Sequence, residues 1–177
     1  MSQMPSEPQV ITNNRFEDER GYFQEWFNRQ KLVEIYGIDF DPRQANISVS
    51  SRNVIRGMHF GIGTNDQSKL VMCASGTIVD VTVNIDKNSE NFGQIHKSTL
   101  SSENFTSIFI PAGFAHGFEV ISDSATVVYL QSREYAPDLE YAINPMDPGL
   151  GIIWSTANPI LSRRDAESSS LKDYTNR

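Results

Sequence analysis

The sequence contains one cysteine, Cys73, and no long hydrophobic run. A single thiol cannot form an internal disulfide or a thiolate metal cluster, which favours a reducing compartment. No apolar run reaches the roughly 18 residues that a membrane helix needs. The N-terminus also lacks the basic start and the apolar stretch of a secretory signal. We therefore expect a cytoplasmic protein without a membrane partner.

Positive charge is scarce as well. The chain has 15 Lys and Arg residues against 22 Asp and Glu residues, which gives a net charge of −7. Because the basic residues are scattered, we do not expect nucleic acid as a partner. The sequence also lacks the GxGxxG and GxxxxGK[ST] phosphate-binding loops and the GxSxG motif of serine hydrolases. The chemistry must then come from a few titratable side chains.

The length of the chain, 177 residues, suits one domain and is too short for two ordinary ones. Hydrophobic residues make up 38% and charged residues 21%, so a packed core can form. We predict a single domain, residues 1–177, with an ordered core from about residue 9 to residue 171. The first eight residues and the polar tail after Leu171 are expected to be loosely held.

Apolar and polar residues alternate over much of the chain. From Val79 to Ile85 every odd position is apolar and β-branched, which is typical of a half-buried strand. Strands are also predicted at Thr106–Ile110, Phe118–Ile121 and Ala125–Ser132, with turn-forming residues between them. Many short strands at this spacing predict an all-β sandwich or jelly roll.

One helix is predicted, from about Asn28 to Tyr36. Leu32, Ile35 and Tyr36 would share one face of it. Asn28 can cap its N-terminus, and Gly37 stands where a glycine commonly ends a helix.

The three histidines are the first candidates for chemistry. His59 lies in a strand-like apolar run, where a buried structural histidine is as good an interpretation as a catalytic one. His116 follows a Pro-Gly bend, and a histidine bonded within a turn is a slightly better interpretation there. His96 lies in a polar stretch and is most simply a surface residue.

The run Pro111-x-Gly113-x-x-His116 resembles the second motif of the cupin superfamily, whose fold is a small β jelly roll. In metal-binding cupins the first motif supplies a His-x-His pair and then a glutamate. Here the corresponding stretch, from residue 57 to residue 76, has only His59, with Gly61 at the second position and no glutamate. Two histidines without such a carboxylate make a poor divalent site. We therefore expect no metal, and side chains that act directly as acids and bases.

Seven segments carry a closer resemblance. They are Phe16–Phe23, Gln44–Ser48, Arg56–Phe60, Ser68–Val71, Ile110–Phe118, Tyr129 with Tyr135–Pro137, and Ile160–Asp165. In this order they are similar to the dTDP-4-dehydrorhamnose 3,5-epimerases, sugar-nucleotide epimerases of rhamnose biosynthesis. The resemblance implies a cupin-like β jelly roll with one or a few short helices, no cofactor, and a dTDP-4-keto-6-deoxyhexose as substrate. It also implies a homodimer that exchanges N-terminal strands, for which Gln9–Thr12 is a plausible strand.

The resemblance also implies roles for individual residues. Because the ketone acidifies the protons on both neighbouring carbons, epimerisation needs a base, an acid on the opposite face, and groups that hold the enolate oxygen. His59 would be the base, Asp165 its orienting partner and Tyr129 the acid. Lys69 and His116 would stabilise the enolate. The residues implied for binding are Arg20 and Arg56 at the diphosphate, and Phe23, Glu25, Gln44, Asn46 and Tyr135 around the sugar and thymine.

Two departures from the family pattern leave alternatives open. Gly61–Thr64 stands where many relatives carry a glutamine, and Asn144–Met146 stands where they commonly have a Trp-Asn pair. One alternative is a 3- or 5-monoepimerase, or a ketoisomerase, that acts on a similar sugar. The other is a cupin that binds a ligand without catalysis, although such a protein would not need an acid and a base that face each other.

Overall fold

The computed structural model describes residues 4–176 of the chain, so residues 1–3 and 177 of the predicted domain lie outside the described part. Within that part the strands are β1 Gln9–Thr12, β2 Arg15–Asp18, β3 Gly21–Gln24, β4 Gln44–Ser51, β5 Ile55–Gly61, β6 Lys69–Ser75, β7 Thr77–Asn84, β8 Ile95–Ser101, β9 Thr106–Ile110, β10 Phe114–Val120, β11 Ser124–Gln131 and β12 Glu140–Ala142. The helices are α1 Arg29–Lys31, which continues as a π-helical segment Leu32–Tyr36, α2 Arg163–Ala166 and α3 Leu171–Thr175. Short 3-10 turns lie at Gly63–Asn65, Pro137–Leu139 and Pro148–Leu150.

The strands form two five-stranded antiparallel sheets and a separate hairpin. The first sheet has the order β1-β9-β6-β11-β4, the second has the order β12-β5-β10-β7-β8, and β2 pairs with β3. Apolar side chains from both sheets pack together, among them Ile108 and Val127 from the first and Leu100 and Phe118 from the second. The predicted all-β, cupin-like jelly roll with a few short helices is confirmed. None of the helices between residues 4 and 176 has the length and apolar character of a membrane span.

The predicted strands are found, with one informative difference. β9 matches its predicted bounds, β11 matches to within one residue, and β7 matches to within two. β10 begins at Phe114, four residues earlier than expected, because this segment pairs with β7 from Phe114 opposite Asn84 onward. His116 therefore lies within a strand, and the interpretation as a turn histidine is wrong.

The predicted helix is confirmed, and so are its two ends. The side chain of Asn28 accepts a hydrogen bond from the backbone N–H of Lys31 at 3.2 Å. Gly37 ends the helix with a φ of 71°, a left-handed conformation that glycine adopts without the penalty of a Cβ atom.

The expectation of a loosely held tail after Leu171 needs correction. After Leu171 the chain forms α3, which begins with a reciprocal capping box between Ser170 and Asp173. The ring of Tyr174 packs on Phe60 with centroids 5.2 Å apart, so the polar tail is anchored by one aromatic residue. At the other end, Gln9–Thr12 pairs antiparallel with β9 of the same chain, and its exchange between two chains stays a prediction.

Candidate active site

A cavity of about 450 Å³ opens between the two sheets. Its lining residues come from β4, β6 and β11 of the first sheet, from β5, β10 and β12 of the second, from the loop after β11 and from α2. They are Gln44, Asn46, Ser48, Arg56, His59, Lys69, His116, Gly117, Phe118, Tyr129, Gln131, Tyr135, Glu140 and Arg164. Eight of the twelve predicted site residues are among them, and a ninth, Asp165, contacts one of the eight.

His59 and Asp165 form the first histidine–carboxylate pair of the site. The distance from Nε2 of His59 to Oδ1 of Asp165 is 2.7 Å, and the side chains are 33% and 4% exposed. Burial raises the pKa of Asp165, but hydrogen bonds from His59 and from the N–H of Gly57 outweigh it, so the pKa lies below its usual value. An ionised carboxylate only accepts hydrogen bonds, so Nε2 of His59 carries a proton. Nδ1 is then the nitrogen that can accept a proton from a substrate.

His116 forms a second pair, with Asp80, which sequence reasoning missed. Nε2 of His116 lies 2.7 Å from Oδ2 of Asp80, and the side chains are only 8% and 0% exposed. The alternation in β7 predicts a half-buried strand with Asp80 on its polar, more exposed face. In the structure the Asp80 side chain is buried. A strand pattern alone carries no signal for this contact, because the register between β7 and β10 decides it.

Glycines bring the two histidines together. His59 and His116 are cross-strand partners on β5 and β10. A Cβ atom on Gly57 would lie 2.5 Å from Cα of Gly117, and one on Gly117 would lie 2.6 Å from the carbonyl oxygen of Arg56. Larger residues at either position would therefore push the strands apart.

Gly61, which stands where a metal-binding cupin has its second histidine, is also required by packing. A Cβ atom there would lie 1.9 Å from the carbonyl oxygen of Asn65, which belongs to the 3-10 turn after β5. In residues 4–176 no group of three or more His, Cys, Asp or Glu side chains is arranged to hold a metal ion.

Lys69 and Tyr129 reach the same cavity from the first sheet. The Nζ atom of Lys69 donates to the carbonyl oxygen of His59 at 3.0 Å, and burial lowers the pKa of Lys69 to about 8, against the opposing charges of Glu140 and Asp80. Burial also raises the pKa of Tyr129, which outweighs the lowering effect of Arg56. At neutral pH the phenol is therefore protonated and can donate a proton.

The binding residues predicted in the cavity belong to two groups. Arg56, on β5 of the second sheet, is held by the first sheet, with Nε donating to Oγ of Ser50 on β4 at 2.9 Å. Gln44 and Asn46 line the cavity from β4, and Tyr135 lines it from the loop after β11. Gln131 and Glu140 lie beside them and were not predicted from the sequence. A glutamine at the end of an apolar strand is the one signal that could have indicated Gln131.

Three predicted binding residues lie outside the cavity of their own chain. Arg20 is exposed and ion-paired with Asp18 in the β2–β3 hairpin. Phe23, on β3, is 68% exposed. Glu25 follows the hairpin and pairs with Lys31 of α1 at 2.6 Å. Within one chain the structure does not bring these three residues to the other nine, since none of the three lines the cavity.

Comparison with known proteins identifies the family. Residues 6–173 match the family described as dTDP-4-dehydrorhamnose 3,5-epimerase. The chain is 43% identical over 163 residues to the enzyme of that name from Salmonella typhimurium (92% of this chain, 89% of the relative). It is 37% identical over 163 residues to a dTDP-4-dehydrorhamnose 3-epimerase from Streptomyces niveus (92% of this chain, 79% of the relative). A Legionella pneumophila 3,5-epimerase solved with dTDP-4-keto-L-rhamnose has a TM-score of 0.88 at 36% identity (97% of this chain, 92% of that chain). The resemblance inferred from the sequence is confirmed: the chain belongs to the dTDP-4-dehydrorhamnose 3,5-epimerase family.

Proposed function

We propose that this chain inverts carbons 3 and 5 of a dTDP-4-keto-6-deoxyhexose, with His59 as base and Tyr129 as acid. The observation that carries the proposal is that these two side chains line one cavity from opposite sheets, His59 from β5 and Tyr129 from β11. A base that also returned the proton would restore the original configuration. Two proton-transfer groups on opposite sides are what inversion requires.

The proposed chemistry proceeds through an enolate. His59 takes the proton from a carbon next to the ketone, and the electron pair of the broken C–H bond moves onto the ketone oxygen. Lys69 stabilises that oxygen as a donor in a largely buried site, and His116 does so in its doubly protonated form, in which Nε2 donates to Asp80 and Nδ1 donates to the oxygen. Tyr129 then protonates the same carbon from the opposite face. Proton exchange with solvent resets His59 and Tyr129, and the second carbon follows by the same steps.

Asp165 supports the base. Its hydrogen bond holds the imidazole of His59 in one orientation, and its negative charge stabilises the imidazolium that forms when the proton is taken. Ser162, the residue that caps α2, accepts from the backbone N–H of Asp165 at 3.1 Å and so fixes the carboxylate at the start of this short helix.

We further propose a homodimer in which the β2–β3 hairpin of one protomer completes the cavity of its partner. Arg56 already lies in the cavity and suits phosphate oxygens. Arg20, Phe23 and Glu25 would reach substrate only from a second chain. The first sheet offers an apolar surface for such contact, because Ile47 and Val49 on its edge strand β4 are 68% and 67% exposed. This assembly would work in the cytoplasm, where a buried free thiol such as Cys73 remains reduced.

The dimer is tested by light scattering after gel filtration. We expect a mass of two chains for the wild type and of one chain for the double substitution Ile47→Asp and Val49→Asp. Arg20→Ala should keep the dimer and weaken binding of dTDP. A wild-type monomer with full activity would contradict the proposal.

The reaction is tested by incubation with dTDP-4-keto-6-deoxyglucose in heavy water, followed by proton NMR of the sugar. Deuterium at both carbon 3 and carbon 5 is expected. Tyr129→Phe should still exchange substrate protons with solvent while it inverts the carbons poorly. Equal loss of exchange and inversion in this variant would contradict the role of Tyr129 as acid.

A second candidate function is epimerisation at carbon 3 alone. The observation that favours it is the similarity to the Streptomyces niveus 3-epimerase, which covers as much of this chain as the similarity to the Salmonella enzyme does. Deuterium at carbon 3 alone would favour this second function. Tight dTDP binding without any label would contradict both.

A further inference from the structure

Four side-chain amides form one continuous hydrogen-bonded chain beside the active site. We call it the amide chain; its members are Gln44, Asn46, Gln131 and Gln67. The backbone N–H of Tyr135 donates to Oε1 of Gln44 at 2.7 Å. Nε2 of Gln44 then donates to Oδ1 of Asn46 at 2.9 Å, and Nδ2 of Asn46 donates to Oε1 of Gln131 at 2.6 Å. Each amide thus accepts from one neighbour and donates to the next.

The amide chain ends on a carboxylate. Nε2 of Gln131 donates to Oε1 of Gln67, and Nε2 of Gln67 donates to Oε1 of Glu140 at 2.8 Å. A backbone N–H can only donate, and a carboxylate oxygen accepts. With a donor at one end and an acceptor at the other, every amide between them is forced into a single orientation. Hydrogen bonds in such a row also strengthen one another.

The amide chain links the two sheets at the cavity. Gln44, Asn46 and Gln131 lie on β4 and β11 of the first sheet, whereas Glu140 lies on β12 of the second. Gln67 bridges them from the loop before β6. It is 3% exposed and lies behind the cavity lining, so a bound ligand would not touch it.

From this arrangement we infer that Gln67, Gln131 and Glu140 are positioning residues that fix which atoms of Gln44 and Asn46 face the bound sugar nucleotide. Within residues 4–176 Nδ2 of Asn46 donates only to Gln131, so one of its two N–H groups is left for a ligand. If the amide chain were broken, the Gln44 and Asn46 amides could rotate by half a turn and exchange donor for acceptor. The cavity would then lose its fixed pattern of donors and acceptors, and with it part of its affinity for the substrate.

This inference rests on the proposed function for its kinetic test. Gln67→Leu removes the link between Gln131 and Glu140 without touching the cavity lining. We expect it to raise KM for dTDP-4-keto-6-deoxyglucose about tenfold, the effect of one lost hydrogen bond to a charged group, with kcat within about threefold of the wild type. Gln30→Leu is the matched control, because Gln30 is an exposed glutamine that donates to Glu34 far from the site. It should change neither parameter.

A second measurement does not depend on turnover. In nitrogen-15 NMR spectra the side-chain amide signals of Gln44 and Asn46 should move in Gln67→Leu, although neither residue contacts Gln67, and should not move in Gln30→Leu. Glu140→Gln should also move the Gln44 and Asn46 signals, since its amide can turn either a donor or an acceptor toward Gln67 and no longer fixes the direction of the amide chain. It keeps the size of the side chain and serves if Gln67→Leu does not fold.

The outcomes separate the two proposals. Unmoved amide signals, or a fall in kcat at constant KM, would overturn the amide chain as a positioning device. Moved signals in a protein whose wild type shows no turnover would support the amide chain and contradict the proposed function.

Discussion

The site contains two histidine–aspartate pairs with the same Nε2-to-Oδ distance of 2.7 Å and different surroundings. His59 is one-third exposed to the cavity, and its partner Asp165 comes from α2, 106 residues further along the chain. His116 is nearly buried, and its partner Asp80 lies on the neighbouring strand β7. The distance between a histidine and its aspartate therefore does not by itself identify the catalytic base. A proton-accepting histidine also needs access to the substrate, and of the two cavity-lining histidines His59 is the more exposed.

The largest expected effect separates the two histidines. His59→Ala should lower kcat by about 10⁴-fold, the upper range for a lost general base, while affinity for dTDP and thermal stability stay close to those of the wild type. His116→Ala should lower stability by about 1–3 kcal/mol, because it leaves the buried Asp80 carboxylate without its partner. Steady-state kinetics, calorimetric dTDP binding and thermal melts measure these effects. Normal turnover by His59→Ala would contradict its role as base.

The second prediction concerns the two aspartates. Asp165→Asn should lower kcat by about 10³-fold at nearly constant KM, since an amide can no longer stabilise the imidazolium of His59. Because the pKa of Asp165 lies below its usual value in the folded chain, its contribution to stability is present above that usual value and is lost as the pH falls through the folded pKa. Thermal melts between pH 3 and pH 7 should therefore show a smaller loss of stability on acidification for Asp165→Asn than for the wild type.

Asp80→Asn is the matched control for Asp165→Asn. It should change kcat less, because His116 holds charge and transfers no proton in the proposed mechanism. An equal fall in kcat for the two variants would mean that the two pairs do not have distinct roles.

The third prediction concerns Lys69, which contacts the backbone of His59 and interacts electrostatically with Asp80. Lys69→Met should lower kcat by about 10²-fold, as expected for one lost donor to a developing oxyanion. In the wild type kcat should fall as the pH rises through about 8, the pKa of Lys69, and the variant should lack this limb of the pH profile.

In Lys69→Met the thermal stability at pH 7 should not fall together with the activity. Between pH 8 and the usual lysine pKa of 10.5 the unfolded chain binds more protons than the folded one, so the Lys69 contribution to stability rises with pH there. Below pH 8 the buried ammonium opposes folding. At pH 7 the Tm of Lys69→Met should then be no lower than that of the wild type. A clear fall in Tm would show that the bond from Lys69 to His59 outweighs the desolvation of the ammonium group.

Much of the fold could be predicted from the sequence. The alternation in β7, β9 and β11 and the two caps of the helix at Asn28 and Gly37 depend on residues close in sequence, so local patterns predict them well. The family was also identified from short segments in order, and those segments carry His59, Tyr129 and Asp165. The role of each of these residues stays a prediction until the variants are measured.

The remaining features depended on contacts between distant residues. The pairing of Asp80 with His116 requires the register of β7 on β10, and the amide chain requires two sheets and a loop to meet at Gln67. Tyr174 ties down a tail whose composition predicts a loose end. The strands, the caps and the family could be read from the residues alone, because they follow from local backbone preferences and from residue order. The difference in exposure between His59 and His116, and the polar side chains that are buried together, could not be predicted, because burial and hydrogen-bond partners depend on how the sheets pack.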